Sequence, residues 1–145
     1  MKAVYVFLCA LFFSVSSLAS EMESCPSVEN VTLRGGIYTA PTNRAGHEWI
    51  AVSSVATAPQ LESFDVGVFY PQNNQQGSVG RLGYCEYKAQ DRSRVNMYYR
   101  QRTSNEVSMR LANTENWKMI ESGLGLVVYE CNTATPGACA FTLLD

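Results

Sequence analysis

GRLGYCEYKA, residues 80–89, carries a cysteine near its centre and alternates its side chains in a way that decides the fold. At a period of two, Gly83, Cys85, Tyr87 and Ala89 share one face, and Leu82, Tyr84, Glu86 and Lys88 share the other. The charged end of the second face turns it toward water, so Cys85 points inward. The following stretch, Arg94 to Arg102, repeats the pattern: Val95, Met97 and Tyr99 on one side, Asn96, Tyr98 and Arg100 on the other. The short AQDRS connection makes the pair an antiparallel hairpin.

Outward from this hairpin, the same enrichment in β-branched and aromatic residues predicts strands at Val31 to Ala40, His47 to Val55, Phe64 to Tyr70, Leu124 to Cys131 and Ala138 to Leu144, with the quoted strand starting at Val79. The breaks APTNRAG, TAPQ, PQNNQQGS and TATPG combine Pro or Gly with small polar residues suited to turns. Asn105 to Ile120 reads differently. Val107, Met109 and Leu111 give weak helical spacing, so the segment is expected to be a loop with a short helix whose Trp117 and Ile120 return to the core. The expected fold is mainly β, a small single-domain antiparallel β-sandwich or barrel-like sheet with one or two short helices and two disulfides.

The N-terminal residues 1–20 place Lys2 before an apolar run from Ala3 to about Ser17, followed by Ser17, Ala19 and Ser20. That layout reads as a secretory signal peptide cleaved after Ala19 or Ser20, leaving residues 21–145 as one β-rich domain. Cleavage removes Cys9 and leaves Cys25, Cys85, Cys131 and Cys139. In a small exported domain such a set reads as a disulfide framework. Three pairings are open; the Pro-Gly turn inside CNTATPGAC favours Cys131 with Cys139, which leaves Cys25 for Cys85.

Loss of Lys2 leaves 10 basic against 13 acidic residues, which argues against nucleic acid, and the one local basic cluster is Arg92, Arg94, Arg100 and Arg102. No second apolar segment is long enough to cross a bilayer, so stable membrane insertion is not expected after cleavage. Catalytic machinery is sparse. The single histidine, His47, sits beside a turn and reads as a surface residue, no C-x-x-C or H-x-x-x-H pattern offers a metal site, and Glu62 and Asp65 fall on opposite faces of a strand. The glycines at Gly35, Gly77 to Gly83 and Gly123 to Gly125 open no helix and do not read as phosphate loops. No cofactor, metal or catalytic residue is expected, and a small hydrolase using His47 is the disfavoured reading.

Trp49, Phe69, Tyr70, Tyr84, Tyr87, Tyr98, Tyr99 and Tyr129 are too many rings for so small a core to hide entirely. Tyr98 and Arg100 share a strand face with the composition of recognition surfaces, so Tyr98, Arg100 and Trp49 are the candidate protein-binding residues.

Further spacings point to a family. Cys25-Pro26, Tyr38 to Pro41, Trp49, the Phe-x-x-Gly-x-aromatic run Phe64 to Phe69, Gly83-x-Cys85-x-Tyr87, Asn116-Trp117 and Cys131 through Cys139-x-Phe141 resemble a family of short exported proteins of unknown function from intracellular γ-proteobacteria. Some of its members are named as periplasmic proteins of the Dot/Icm type IV secretion system. The resemblance implies a periplasmic, disulfide-bonded, non-enzymatic factor for secretion or intracellular growth, and it supplies no active-site residues. The partner expected on this basis is an envelope or secretion-system protein; the alternative is a secreted virulence or envelope-defence factor, for example a hydrolase inhibitor. Intact mass of protein recovered from periplasm, taken before and after reduction and alkylation, is expected to show a chain beginning at Ser20 or Glu21 with four protected thiols; free thiols contradict the framework.

Overall fold

A computed structural model describes residues 21–55, 57–75, 77–103 and 107–144, and the leader read at 1–20 lies outside the described residues. Eleven strands are present among them: β1 (Met22–Ser24), β2 (Thr32–Arg34), β3 (Ile37–Ala40), β4 (His47–Val52), β5 (Leu61–Pro71), β6 (Gly80–Ala89), β7 (Arg94–Gln101), β8 (Met109–Leu111), β9 (Lys118–Glu121), β10 (Val127–Cys131) and β11 (Ala140–Leu143). Two single-turn 3-10 helices, Val28–Asn30 and Thr114–Asn116, complete the regular structure of the described residues. The strands form one antiparallel sheet curled into a half-barrel, in the order β1-β11-β8-β6-β7-β4-β3-β2, with β5, β10 and β9 branching from β6.

β6 organises this arrangement. One edge pairs with β5 along its whole length; the other pairs with β7 from Cys85 to Lys88 and with β8 at Gly80. Its side-chain alternation is interrupted once. Val68 faces Tyr84 while Phe69 faces Leu82, so Gly83 is an extra residue at a β-bulge and the phase flips there. The consequence is that Leu82, expected outward, lies in the core beside Phe69, whereas Cys85 and Tyr87 are buried as expected.

Three other expectations are corrected. Val31 to Ala40 is not one strand but the hairpin β2-β3, because Gly35 and Gly36 both take positive φ, 55° and 79°, the combination a tight two-residue hairpin turn demands. Val107, Met109 and Leu111 are spaced by two, not by a helical turn, and all three are buried: β8 is a short strand paired with β11. Trp117 does enter the core, donating its indole N–H to the Ala140 carbonyl at 3.1 Å, but Ile120 on β9 stays 42% exposed. β1 pairs Met22 to Ser24 with Thr142 to Ala140 of β11, a strand the sequence pattern does not announce.

The core is aromatic. Trp49, Tyr99 and Phe141 pack edge to face, with centroids 5.0, 5.5 and 6.2 Å apart, and Phe69 meets Trp117 at 6.4 Å. Tyr87 reaches across to donate to the Pro26 carbonyl at 2.6 Å. The two disulfides are Cys25–Cys85 and Cys131–Cys139. Gly67 lies opposite Cys85, and a Cβ there would stand 2.9 Å from the Cys25 sulfur and 3.3 Å from the Trp117 ring, so only glycine leaves room for the bridge. The sequence separations are 60 and 8 residues. Loop-closure entropy therefore assigns about 4 kcal/mol to Cys25–Cys85 and about 2.5 kcal/mol to Cys131–Cys139. Paired Cys→Ala variants compared by urea unfolding are expected to lose stability in that order, and the reverse order contradicts this assignment.

Candidate functional site

β7 points Met97 and Tyr99 into the core, and the period of two then forces Asn96, Tyr98 and Arg100 onto the outer face. Tyr98 is 49% exposed and meets Tyr84 edge to face at 6.4 Å. On the neighbouring β4, Ile50 lies directly opposite Tyr98, and Val52, two residues on, is 71% exposed. Tyr70 is also exposed, and its ring rests against the bare backbone of Gly83. An aromatic and aliphatic band thus runs across β5, β6, β7 and β4.

Charged pairs flank the band. Arg100 Nε donates to Glu48 Oε1 at 2.8 Å, with Arg102 3.7 Å from the other oxygen. On the other flank, Asp65 projects from a bulge in β5 and binds Arg94 and, at 3.3 Å, Lys88, while Arg94 also reaches Glu86. Partial burial pushes the Asp65 carboxyl up, but its two cationic partners outweigh that and hold it below the usual carboxylate range. Burial raises the Tyr84 hydroxyl, with Tyr70, Glu86, Glu130 and Tyr98 adding to the effect.

Two concavities share Tyr98 as a wall. One, about 530 Å³, is lined by Ile50, Val52, Leu82, Gly83 and Arg100 among others. The second, about 390 Å³, lies between the β6-β7 turn and the Ser53 to Val55 segment, with Asp91, Arg94 and Asn96 in its lining.

Of the candidate binding residues, the structure brings Tyr98 and Arg100 together on this face and withdraws Trp49. Trp49 is 1% exposed and wedged between Tyr99 and Phe141, because alternation along β4 sends His47, Trp49 and Ala51 inward. The same alternation corrects His47, expected on the surface: it is buried, stacked on Tyr99 at 5.3 Å. Ile50 and Val52 were missed, although Glu48 in their outward set was the available signal. Among the described residues no group of three or more His, Cys, Asp or Glu side chains is placed to hold a metal ion.

Compared with known proteins, the chain matches a family model described as a protein of unknown function (DUF3757) over residues 19–142. No curated protein and no solved structure matches it.

Away from the outer face, Glu23 of β1 is buried against the core and accepts hydrogen bonds from the Asn43 and Arg44 backbone N–H groups and, at 3.5 Å, from the Tyr99 hydroxyl. Burial raises its carboxyl above the ordinary range, more than these donors lower it. Burial, then Glu23 itself, pushes the Tyr99 hydroxyl up as well. A raised folded-state value means that the native protein holds the Glu23 proton more tightly than the unfolded chain does. The stability this contributes is complete below the ordinary Glu value, about 4.3, and is lost as pH rises through the raised value. Glu23→Gln keeps an oxygen acceptor and removes the titration, so its melting temperature relative to wild type is expected to climb between pH 4 and pH 8; a flat or falling difference contradicts the assignment.

Proposed function

The chain belongs to the DUF3757 family, and because that description names no activity, we propose from its residues that it is a non-enzymatic binding domain of the cell envelope that docks a protein partner on the outer face around Tyr98. The observation that carries this reading is the outer band itself: half-exposed Tyr98 between two concavities, with exposed Val52 and Tyr70 along the band and ion-paired arginines at the rim. An aromatic and aliphatic centre inside a charged rim is the anatomy of a protein interface. The two disulfides fit an oxidising compartment outside the cytoplasm, and no helix of the described residues is long and apolar enough to cross a membrane. Within that compartment the reading places the protein in the periplasm, with a component of a type IV secretion system as partner. A product found in the medium moves the reading to a secreted virulence or defence factor, such as a hydrolase inhibitor.

Affinity capture from periplasmic extract tests it. Tyr98→Ala with Arg100→Ala is expected to weaken capture by about 30-fold or more, the loss of a hot spot, while the melting temperature stays near wild type because both side chains lie outside the core. Capture unchanged by the double variant removes this face from the proposal.

A further inference from the structure

β9 and β10 form a hairpin at the far end of the branch, and among the described residues β9 pairs with β10 alone, so its other edge is open. All four β9 residues are exposed. Met119 lies opposite Tyr129 on the inner side and Ile120 opposite Val128 on the outer side, so apolar side chains project from both faces of the hairpin. Its tip is more exposed still, with Leu124 at 90% and Leu126 at 60%.

This tip is held in one shape. Ser122 and Leu126 close the turn through a backbone bond of 2.8 Å, Gly125 N–H donates back to the Ser122 carbonyl at 2.9 Å, and the Ser122 hydroxyl accepts from Leu126 N–H at 3.1 Å. The two leucines are therefore presented outward by a bonded turn. A flat protein surface covers one side of such a finger and leaves the other wet, whereas a fluid apolar layer surrounds the tip and buries every side chain at once.

We infer that the Ser122–Leu126 tip dips reversibly into a zwitterionic lipid surface. Charge argues for that headgroup class over an anionic one: Lys118 is outnumbered by Glu121 and Glu130 on the hairpin, and the whole chain carries a net charge of −2. Depth is limited by the open edge of β9, whose backbone N–H and C=O groups need water. Leu124 and Leu126 thus enter the hydrocarbon boundary while Met119 and Ile120 remain at headgroup level. Two leucines bury less apolar surface than an acyl chain, so the affinity stays at or below the roughly 10⁴ M⁻¹ of a single myristoyl group.

Leu124→Trp in the mature protein provides the reporter, since Trp49 and Trp117 are buried and shielded. With phosphatidylcholine vesicles at millimolar lipid, its emission is expected to shift to the blue, to be quenched by brominated acyl chains and to stay unchanged when salt is raised tenfold. Leu124→Ser with Leu126→Ser is expected to cut co-flotation with the same vesicles several-fold at an unaltered melting temperature. Emission that remains at the wavelength of an exposed indole overturns the inference, as does flotation of the double serine variant at the wild-type level. A blue shift that requires added envelope protein overturns it in favour of a protein pocket.

Discussion

The Cys25–Cys85 bridge fixes the strand on which the sheet is assembled. β6 pairs with β5 along one edge and gives its other edge to β7 at one end and β8 at the other, so a displacement of β6 propagates to both branches of the half-barrel. The disulfide ties this strand to the N-terminal segment, Tyr87 repeats the tie two residues away through the Pro26 carbonyl, and Gly67 on β5 leaves the space the bridge needs. A covalent link spanning 60 residues removes loop entropy that a core of this size would otherwise offset by burial alone. Cys131–Cys139 acts locally, closing the turn between β10 and β11.

Much of this was legible in the sequence because a single period governs it. The alternation in residues 85–89 and 95–100 placed Cys85, Tyr87, Met97 and Tyr99 inside and Tyr98 and Arg100 outside. Failures occur where the period is broken or overridden. The Gly83 bulge inserts one residue and inverts the reading for Leu82, and no local residue pattern marks a bulge apart from the glycine itself. Met109 and Leu111 belong to a strand of three residues, too short to display a period against flanking polar residues, and pairing with β11 decides its conformation. Composition alone puts Trp49 on the surface, whereas the alternation along β4 puts it inside with His47 and Ala51.

The side chains that carry the family resemblance divide in an informative way. Tyr38, Trp49, Phe69, Cys85, Tyr87, Trp117 and Phe141 are all buried, and Cys25, Cys131 and Cys139 form the bridges. Such a signature records how the half-barrel is built, and a recognition surface has to be sought among residues outside it. Tyr98, Tyr70, Val52 and Arg100 meet that condition.

A domain with little core to spare gains stability by burying whatever apolar area it has, and this chain leaves Leu124, Leu126 and Val52 in water. Nothing in the backbone compels this. The β9-β10 turn is closed by bonds from Ser122 and by Gly125 at φ 74°, and neither needs a leucine at position 124 or 126. Polar residues there would leave the fold's bonds intact and lower the tendency to associate. The two bridges make this exposure tolerable, because cross-links stabilise the fold without drawing on surface residues. Staples inside and apolar residues outside are thus two parts of one arrangement, in which covalent constraint supplies stability that the exposed apolar side chains do not.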